Sequence, residues 1–402
     1  MEHERIKLAH IAEALEGGVA TYLRTVLPQL AEHGFDVTLV CSLNRHWPDA
    51  EDIISELETR GVNVHILPMS REINLGEDAI SFLSLLRFLW KKHFDIVHTH
   101  SAKAGALGRL AAYLTGTRVL YHTPHCFAFL RTKGRLQKQL YLAVERILGR
   151  ITTTLVAVSK SEESAALRYA VVPRSRCTIV NNGLPLEPST IPTDNNQGTP
   201  IFSLNDSRPL VVTASRLVSY KGIHRFLEAA AMSSIADATF VVAGDGELRD
   251  NLCAFVNARG LSYKIKLLGH VTNMEQLYQS ATVVVLCSDM EGQPYALLEA
   301  MRAGCAIVAT NVPGNCELIS HGRTGYLVEP APTAVAEAVD FLLAHEDQRR
   351  QCATNARQFF RQHHCLSKQI KILTQHYADS LCAKGAKTYV PANRTSIGSK
   401  DN

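Results

Sequence analysis

Twice along the chain, short β-branched and aliphatic runs alternate with longer segments of helical period, and an aperiodic stretch divides the two series. Such alternation is the signature of βαβ units, in which parallel strands are joined by helical crossovers, so the chain is confined to the α/β class. The first series predicts strands near Lys7–Ala12, Asp36–Cys41, Asn63–Leu67, Ile96–Thr99, Val119–His122, Thr154–Val158 and Thr178–Val180. Pro185–Pro209 is rich in Pro, Ser, Thr and Asn and reads as a linker. The second series runs LVVTAS, TFVVAGDGE, IKLLG, TVVVLCS, AIVAT. At 402 residues the chain exceeds one ordinary core. The expected organisation is a Rossmann-like domain over 1–188, a linker over 189–208, a second such domain over 209–352, a helical region over 353–384 and a mobile tail over 385–402. Two doubly wound domains would then face a cleft, with ligands held at the carboxyl ends of the strands.

Composition narrows the function classes. Apolar residues at 46% and charged residues at 20% describe a folding chain, and a net charge of +4 is too small a bias for a dedicated nucleic-acid binder. None of the ten cysteines forms a Cys-x-x-Cys pair or a zinc-clasping spacing, which points to buried thiols in a reducing cytosol. The opening MEHERIKLAHIAEALEGG lacks a signal-peptide core, and the longest apolar run, Ala79–Trp90, is 12 residues and contains Arg87. That is short of the roughly 20 residues that span a bilayer, so no membrane crossing is expected.

Three loops after strands carry chemistry. Gly17 and Gly18 open a helix, where paired glycines let backbone approach a ligand and unpaired amides favour an anion. Arg216 and Lys221, five residues apart before another helix, suit a diphosphate, and the P-loop pattern is absent. In Glu291-Gly292-Gln293-Pro294-Tyr295-Ala296, Gly and Pro prepare a tight turn into a helix whose amides would face the cleft. Glu291 would sit at its mouth and Glu299 further along, two carboxylates able to grip different hydroxyls of one extended ligand.

Arg216 with Lys221, the turn Ala243-Gly244-Asp245-Gly246-Glu247, and Glu291 with Glu299 resemble the retaining nucleotide-sugar glycosyltransferases of family four, which have the GT-B fold. The resemblance is nearly continuous from Leu210 to Glu329 and includes GCAIVATNVPGNCELISHGRTGYLVEP. Asp95–Gly105 and Tyr121–Phe127 are similar to members that build capsule, exopolysaccharide or O-antigen units. The resemblance implies that the C-terminal helical region returns toward the first domain. It also implies that Arg216 and Lys221 neutralise the leaving diphosphate, Glu291 binds donor-sugar hydroxyls and Glu299 holds the ribose. Gly17, Gly18, Gly244, Asp245, Gly246, Gly292, Gln293, Pro294, Tyr295 and Ala296 would complete the donor site, and His125 would touch the transferred sugar. His98, His100 and His122 are expected to be structural neighbours. No metal and no further cofactor are implied. Three positions depart from the pattern: Cys126 replaces a usual Gly, Ser219-Tyr220 a commoner Pro-Glu, and Ala306 a commoner Pro.

Between Ser101 and Arg150 nine cations face Glu145 alone, a net +8 that leaves −4 on the rest. RTKGRLQKQLYLAVERILGR has the spacing of a basic amphipathic helix, and Arg131, Lys133, Arg135 and Lys138 are its expected contacts with an anionic membrane surface. The expected activity is metal-independent transfer from a nucleotide diphosphate sugar, a UDP-sugar in first place, to a lipid-diphosphate-linked saccharide, at the inner face of the cytoplasmic membrane and without nucleic acid. The alternatives are a GT-B sugar-nucleotide epimerase and a silent subunit of an assembly complex.

Overall fold

The structure is a computed structural model and describes residues 5–44, 48–70, 73–188 and 208–385. The expected linker and tail fall almost wholly outside those residues. The first half comprises β1 (Ile6–Ile11), α1 (Gly17–Glu32), β2 (Phe35–Cys41), α2 (Ala50–Thr59), β3 (Asn63–Ile66), α3 (Leu75–Lys92), β4 (Ile96–His100), α4 (Ala102–Leu114), β5 (Val119–Thr123), α5 (Ala128–Arg131), α6 (Arg135–Gly149), β6 (Thr154–Ala157), α7 (Lys160–Arg168) and β7 (Cys177–Ile179). The second comprises β8 (Leu210–Ala214), α8 (Ile223–Met232), β9 (Thr239–Ala243), α9 (Arg249–Ala258), β10 (Ile265–Gly269), α10 (Met274–Ser280), β11 (Val283–Leu286), α11 (Tyr295–Ala303), β12 (Ala306–Thr310), α12 (Asn315–Leu318), β13 (Tyr326–Val328), α13 (Pro332–Ala344), α14 (Glu346–His363) and α15 (Leu366–Ala383). Every strand predicted in the first half is present within a residue or two of its expected ends.

The strands form two parallel sheets, ordered β3-β2-β1-β4-β5-β6-β7 and β10-β9-β8-β11-β12-β13. Helices cover both faces of each, which is why the central strands read as unbroken apolar runs. The order reverses between β1 and β4 in the first sheet and between β8 and β11 in the second, and the crevices beside those reversals are where open sheets take ligands. The loops after β1, β8 and β11 are the three singled out from sequence.

The two sheets' helices share one apolar cluster, running from Leu8 and Leu23 through Leu297 and Leu298 to Leu373 and Tyr377. The expected division at 352/353 falls inside α14, a single helix against α11 and β12. The chain crosses back only at His364, and α15 then packs on α1, where Tyr377 meets Phe35, His98 and Tyr121 edge-on. This return crossing lies directly against the outward one: Leu184 and Cys365 form a parallel bridge, the Leu184 amide donates to His364 O (3.0 Å), and the Leu366 amide donates to Leu184 O (2.8 Å). Gly183 is required there, because a Cβ would stand 2.9 Å from the carbonyl oxygen of Cys365. No helix among the described residues is long and apolar enough to cross a membrane. All ten cysteines are free thiols, six of them buried.

Candidate active site

A cavity of about 650 Å³ lies between the two sheets. Gly17, with φ +55°, starts α1 in the left-handed region that glycine tolerates. The Glu16 side chain does not cap α1 and instead pairs across the cleft with Arg216. The N-terminus of α11 is also without a side-chain cap or first-turn acid. The two helices therefore present unsatisfied amides and positive dipole ends to the cavity from opposite domains.

Arg216 and Lys221 follow β8. Lys221 Nζ donates to Glu291 Oε1 (2.5 Å), which also accepts from Ser288 Oγ (2.6 Å), so the loops after β8 and β11 are tied at their charged ends. The turn at 243–247 braces this arrangement, and of its residues Ala243 and Gly244 line the cavity. A Cβ on Gly244 would stand 2.0 Å from Ser215 O, and Leu217 N donates to Asp245 O (2.9 Å). Gly244 borders the cavity, but Asp245 and Gly246 do not: the Asp245 carboxylate accepts from Gly246 N (2.7 Å) and Arg249 Nη1 (3.0 Å), and a Cβ on Gly246 would strike the backbone of Leu217. Their expected part in donor contact is corrected to support of the Arg216 loop.

Gly292, Pro294, Tyr295, Ala296 and Glu299 all border the cavity. Gln293 does too, but its side chain is spent on the other domain: Oε1 accepts from the Asn182 amide (2.5 Å), and its carbonyl accepts from Asn182 Nδ2 (2.9 Å). Burial raises the Glu299 carboxyl to about 7 against the opposing pull of Arg302 and Tyr278.

Arg131 also departs from expectation. It lies inside the cleft, where Nη1 donates to Tyr220 Oη (3.4 Å), so it is not a lipid-facing residue. The helix begins only at Arg135, after Gly134, and Lys133 and Arg135 are exposed while Lys138 lies over the Tyr169 ring. Tyr220, noted from sequence only as a departure, accepts from Arg216 Nη2 (2.7 Å) as well as from Arg131 and so joins the two domains. Burial alone would push its phenol up, but Arg216, Lys221 and Arg131 bring it below its ordinary value. Lys103, paired with Asp78 at 2.5 Å, marks a further lobe of the cavity lined by Leu107, Phe129, Leu140 and Val144.

His125 borders the cavity at the end of β5 with φ +51°, followed by Cys126 at +75°. Glycine would adopt such a conformation at no steric cost, so the residue that departs from the family pattern stands at a strained position. Glu162 holds the loop, Oε1 accepting from Cys126 N (2.6 Å) and Oε2 from Val158 N (2.8 Å). Behind His125 lie His10, His98, His100 and His122, all buried. His10, His98 and His100 are close enough to surround an ion, but both His98 ring nitrogens are engaged, with Tyr377 Oη (2.5 Å) and Thr123 Oγ1 (2.8 Å). A metal there would have to break those bonds.

Two family models match: "Glycosyl transferase 4-like domain" over residues 17–183 and "Glycosyl transferases group 1" over 198–359. A UDP-Gal:α-D-GlcNAc-diphosphoundecaprenol α-1,3-galactosyltransferase of Escherichia coli is 31% identical over 337 residues, covering 81% of this chain and 85% of that protein. The capsular polysaccharide biosynthesis glycosyltransferase CapM of Staphylococcus aureus is 26% identical over 306 residues, covering 73% and 79%. In fold, the Anabaena protein HepE, solved with UDP and glucose, superposes with a TM-score of 0.78 at 19% identity, covering 93% of this chain and all of that one. With both halves matched in order and the paired parallel sheets of GT-B enzymes, the chain is a glycosyltransferase and belongs to family four.

Proposed function

We propose that the protein moves a sugar, with retention of anomeric configuration and without a metal, from a nucleotide diphosphate sugar to a lipid-diphosphate-linked saccharide in surface-polysaccharide assembly. The observation that carries this reading is the meeting of Arg216 and Lys221 with the open N-termini of α1 and α11. Positive charge accumulates there from both domains, and it would stabilise the diphosphate as its bond to the anomeric carbon breaks. Glu16 pairs with Arg216 and Glu291 with Lys221, so the donor's phosphates would take over from Glu16 while Glu291 turns to sugar hydroxyls. A uridine donor is supported by the Escherichia coli relative, named for UDP-Gal, and a polyprenyl diphosphate acceptor by the same name.

The apolar lobe beside Lys103 offers room for the acceptor's lipid-proximal part. Outside it, α3, α4 and α6 lie together and expose Leu83, Trp90, Tyr113, Leu114, Leu136 and Ile147, and Lys133 and Arg135 are exposed where α6 begins. Apolar and basic residues on one face fit an anionic membrane surface.

The test is a panel of nucleotide sugars in EDTA, with and without a polyprenyl diphosphate saccharide, following nucleotide release, product mass and anomeric configuration. Acceptor-dependent release from one donor, with retention, is the expected result. Release of an altered free sugar without acceptor would make the protein an epimerase, and binding without turnover a silent subunit.

Glu299 adds a pH dependence. Only its carboxylate accepts two ribose hydroxyls, and burial keeps it half-protonated near pH 7. Affinity for the sugar nucleotide, whose diphosphate has no proton to lose near neutrality, should rise about tenfold from pH 6 to pH 8. Calorimetry should show this slope flattened in Glu299→Gln; an equal slope in both proteins would remove Glu299 from the nucleoside site.

A further inference from the structure

His10, His100 and His125 form a line from the core to the cavity. His10 Nδ1 lies 2.8 Å from His100 Nε2, and His100 Nδ1 lies 3.0 Å from His125 Nε2. The ring planes differ by 12° and 28° with centroids 5.1 and 5.2 Å apart, the separation of imidazoles bonded nitrogen to nitrogen, edge to edge. Burial lowers the pKa of His10 and His125 to about 3 and takes His100 well below its ordinary value, where His98 and His10 push in the same direction. All three rings are therefore neutral near pH 7, with one proton each.

Neutral rings in such a line have two consistent orders. Either every ring is protonated on Nδ1 and donates toward the cleft, or every ring is protonated on Nε2 and donates toward the core. The second order ends on His10 Nε2, which is buried and without a partner. A buried N–H with no acceptor is the rarer and costlier orphan, whereas in the first order His10 Nε2 is only an unused acceptor. The first order makes His125 Nε2 an acceptor and leaves its proton on Nδ1, which has no partner among the described residues.

We infer that His10 and His100 are positioning residues that fix the Nδ1–H tautomer of His125, so that the cleft histidine presents a hydrogen-bond donor to a hydroxyl oxygen of the transferred sugar. The sugar contact rests on the reading under Proposed function; the tautomer does not. Tyr22 completes the clamp, edge-on to His125 at 5.2 Å and tilted against His100 at 5.0 Å. The ring is thus held at its far nitrogen and on its side, while its backbone occupies a conformation disfavoured for a residue with a Cβ.

Long-range proton–nitrogen NMR on the ligand-free protein, labelled at histidine, reports which ring nitrogen bears the proton. Nδ1–H on His10, His100 and His125 is expected; Nε2–H or a doubly protonated ring at His125 overturns the inference whatever the enzyme's substrates. The kinetic arm uses amides as partial replacements. His100→Asn keeps a polar group near the Nδ1 position, facing His125, and His100→Gln keeps one near the Nε2 position, facing away. Asparagine should hold kcat within about threefold, and glutamine should lower it about tenfold with little change in donor KM, the loss expected for one hydrogen bond made in the transition state. Thermal unfolding of both variants separates this from core damage. Equal kcat in two folded variants would reduce His100 to a packing residue. No turnover by the wild type, with the expected tautomers present, would instead fault the proposed reaction and leave the relay standing.

Discussion

Replacing Lys221 with alanine is expected to lower kcat/KM for sugar transfer by about 10²–10³-fold, the range seen when one preorganised donor to a developing charge is removed. Most of the loss should fall on kcat, because charge on the leaving diphosphate grows as the glycosidic bond breaks and a positioned ammonium gains most at that point. The same change strands Glu291, which keeps only the Ser288 hydroxyl of its two partners. Lys221→Arg should recover little, since a planar fork cannot replace a compact charge in the same space. Steady-state kinetics with the donor varied make the measurement. Arg350→Ala, which removes an exposed cation paired with Glu346 on α14 and outside the cavity, should leave the rate unchanged and serves as the control. A Lys221→Ala protein with wild-type kcat/KM would place the leaving group elsewhere.

Glu162→Ala should destabilise the first domain by about 2–6 kcal/mol, because each of two buried backbone amides loses its acceptor at about 1–3 kcal/mol. Glutamine should be intermediate, with one carbonyl oxygen for two donors. Burial raises the wild-type carboxyl from 4.5 to about 7, so the folded protein binds the proton more tightly than the unfolded chain. The contribution of Glu162 to stability accordingly falls as pH rises through that interval, and the alanine variant should lose this share of the pH slope. Denaturant unfolding at pH 5 and pH 8 checks both statements, and an unchanged midpoint would show that other groups hold the His125–Cys126 loop. Activity should drop as well, since that loop carries the cleft histidine.

The loops at the carboxyl ends of β1, β8 and β11 were legible because each is contiguous: a strand, a few special residues, a helix. Arg216 with Lys221, and Glu291 with Glu299, needed no knowledge of distant segments. What was not legible depends on sheet order and on the meeting of domains. Glu16 finds Arg216 200 residues away, and Arg131 finds Tyr220 at 89, distances that no local period encodes. For the same reason the spacing of Arg131 could not distinguish the cleft from the lipid side. The histidine line left one usable trace: His10, His98 and His100 lie in strands whose residues are almost all buried, and polar groups buried there require partners. Finding the partner of His10 requires the pairing of β1 with β4, which brings its ring within bonding distance of His100.

The two crossings between the domains, bridged at Leu184 and Cys365, have a mechanical consequence. Two peptide segments hydrogen-bonded side by side resist sliding and shear but can twist about their common direction. A rotation of one domain against the other would therefore pivot at this bridge, and it would have to release the contacts of Arg216 with Glu16, of Arg131 with Tyr220 and of Gln293 with Asn182, and to shear the apolar cluster that the two sheets' helices share.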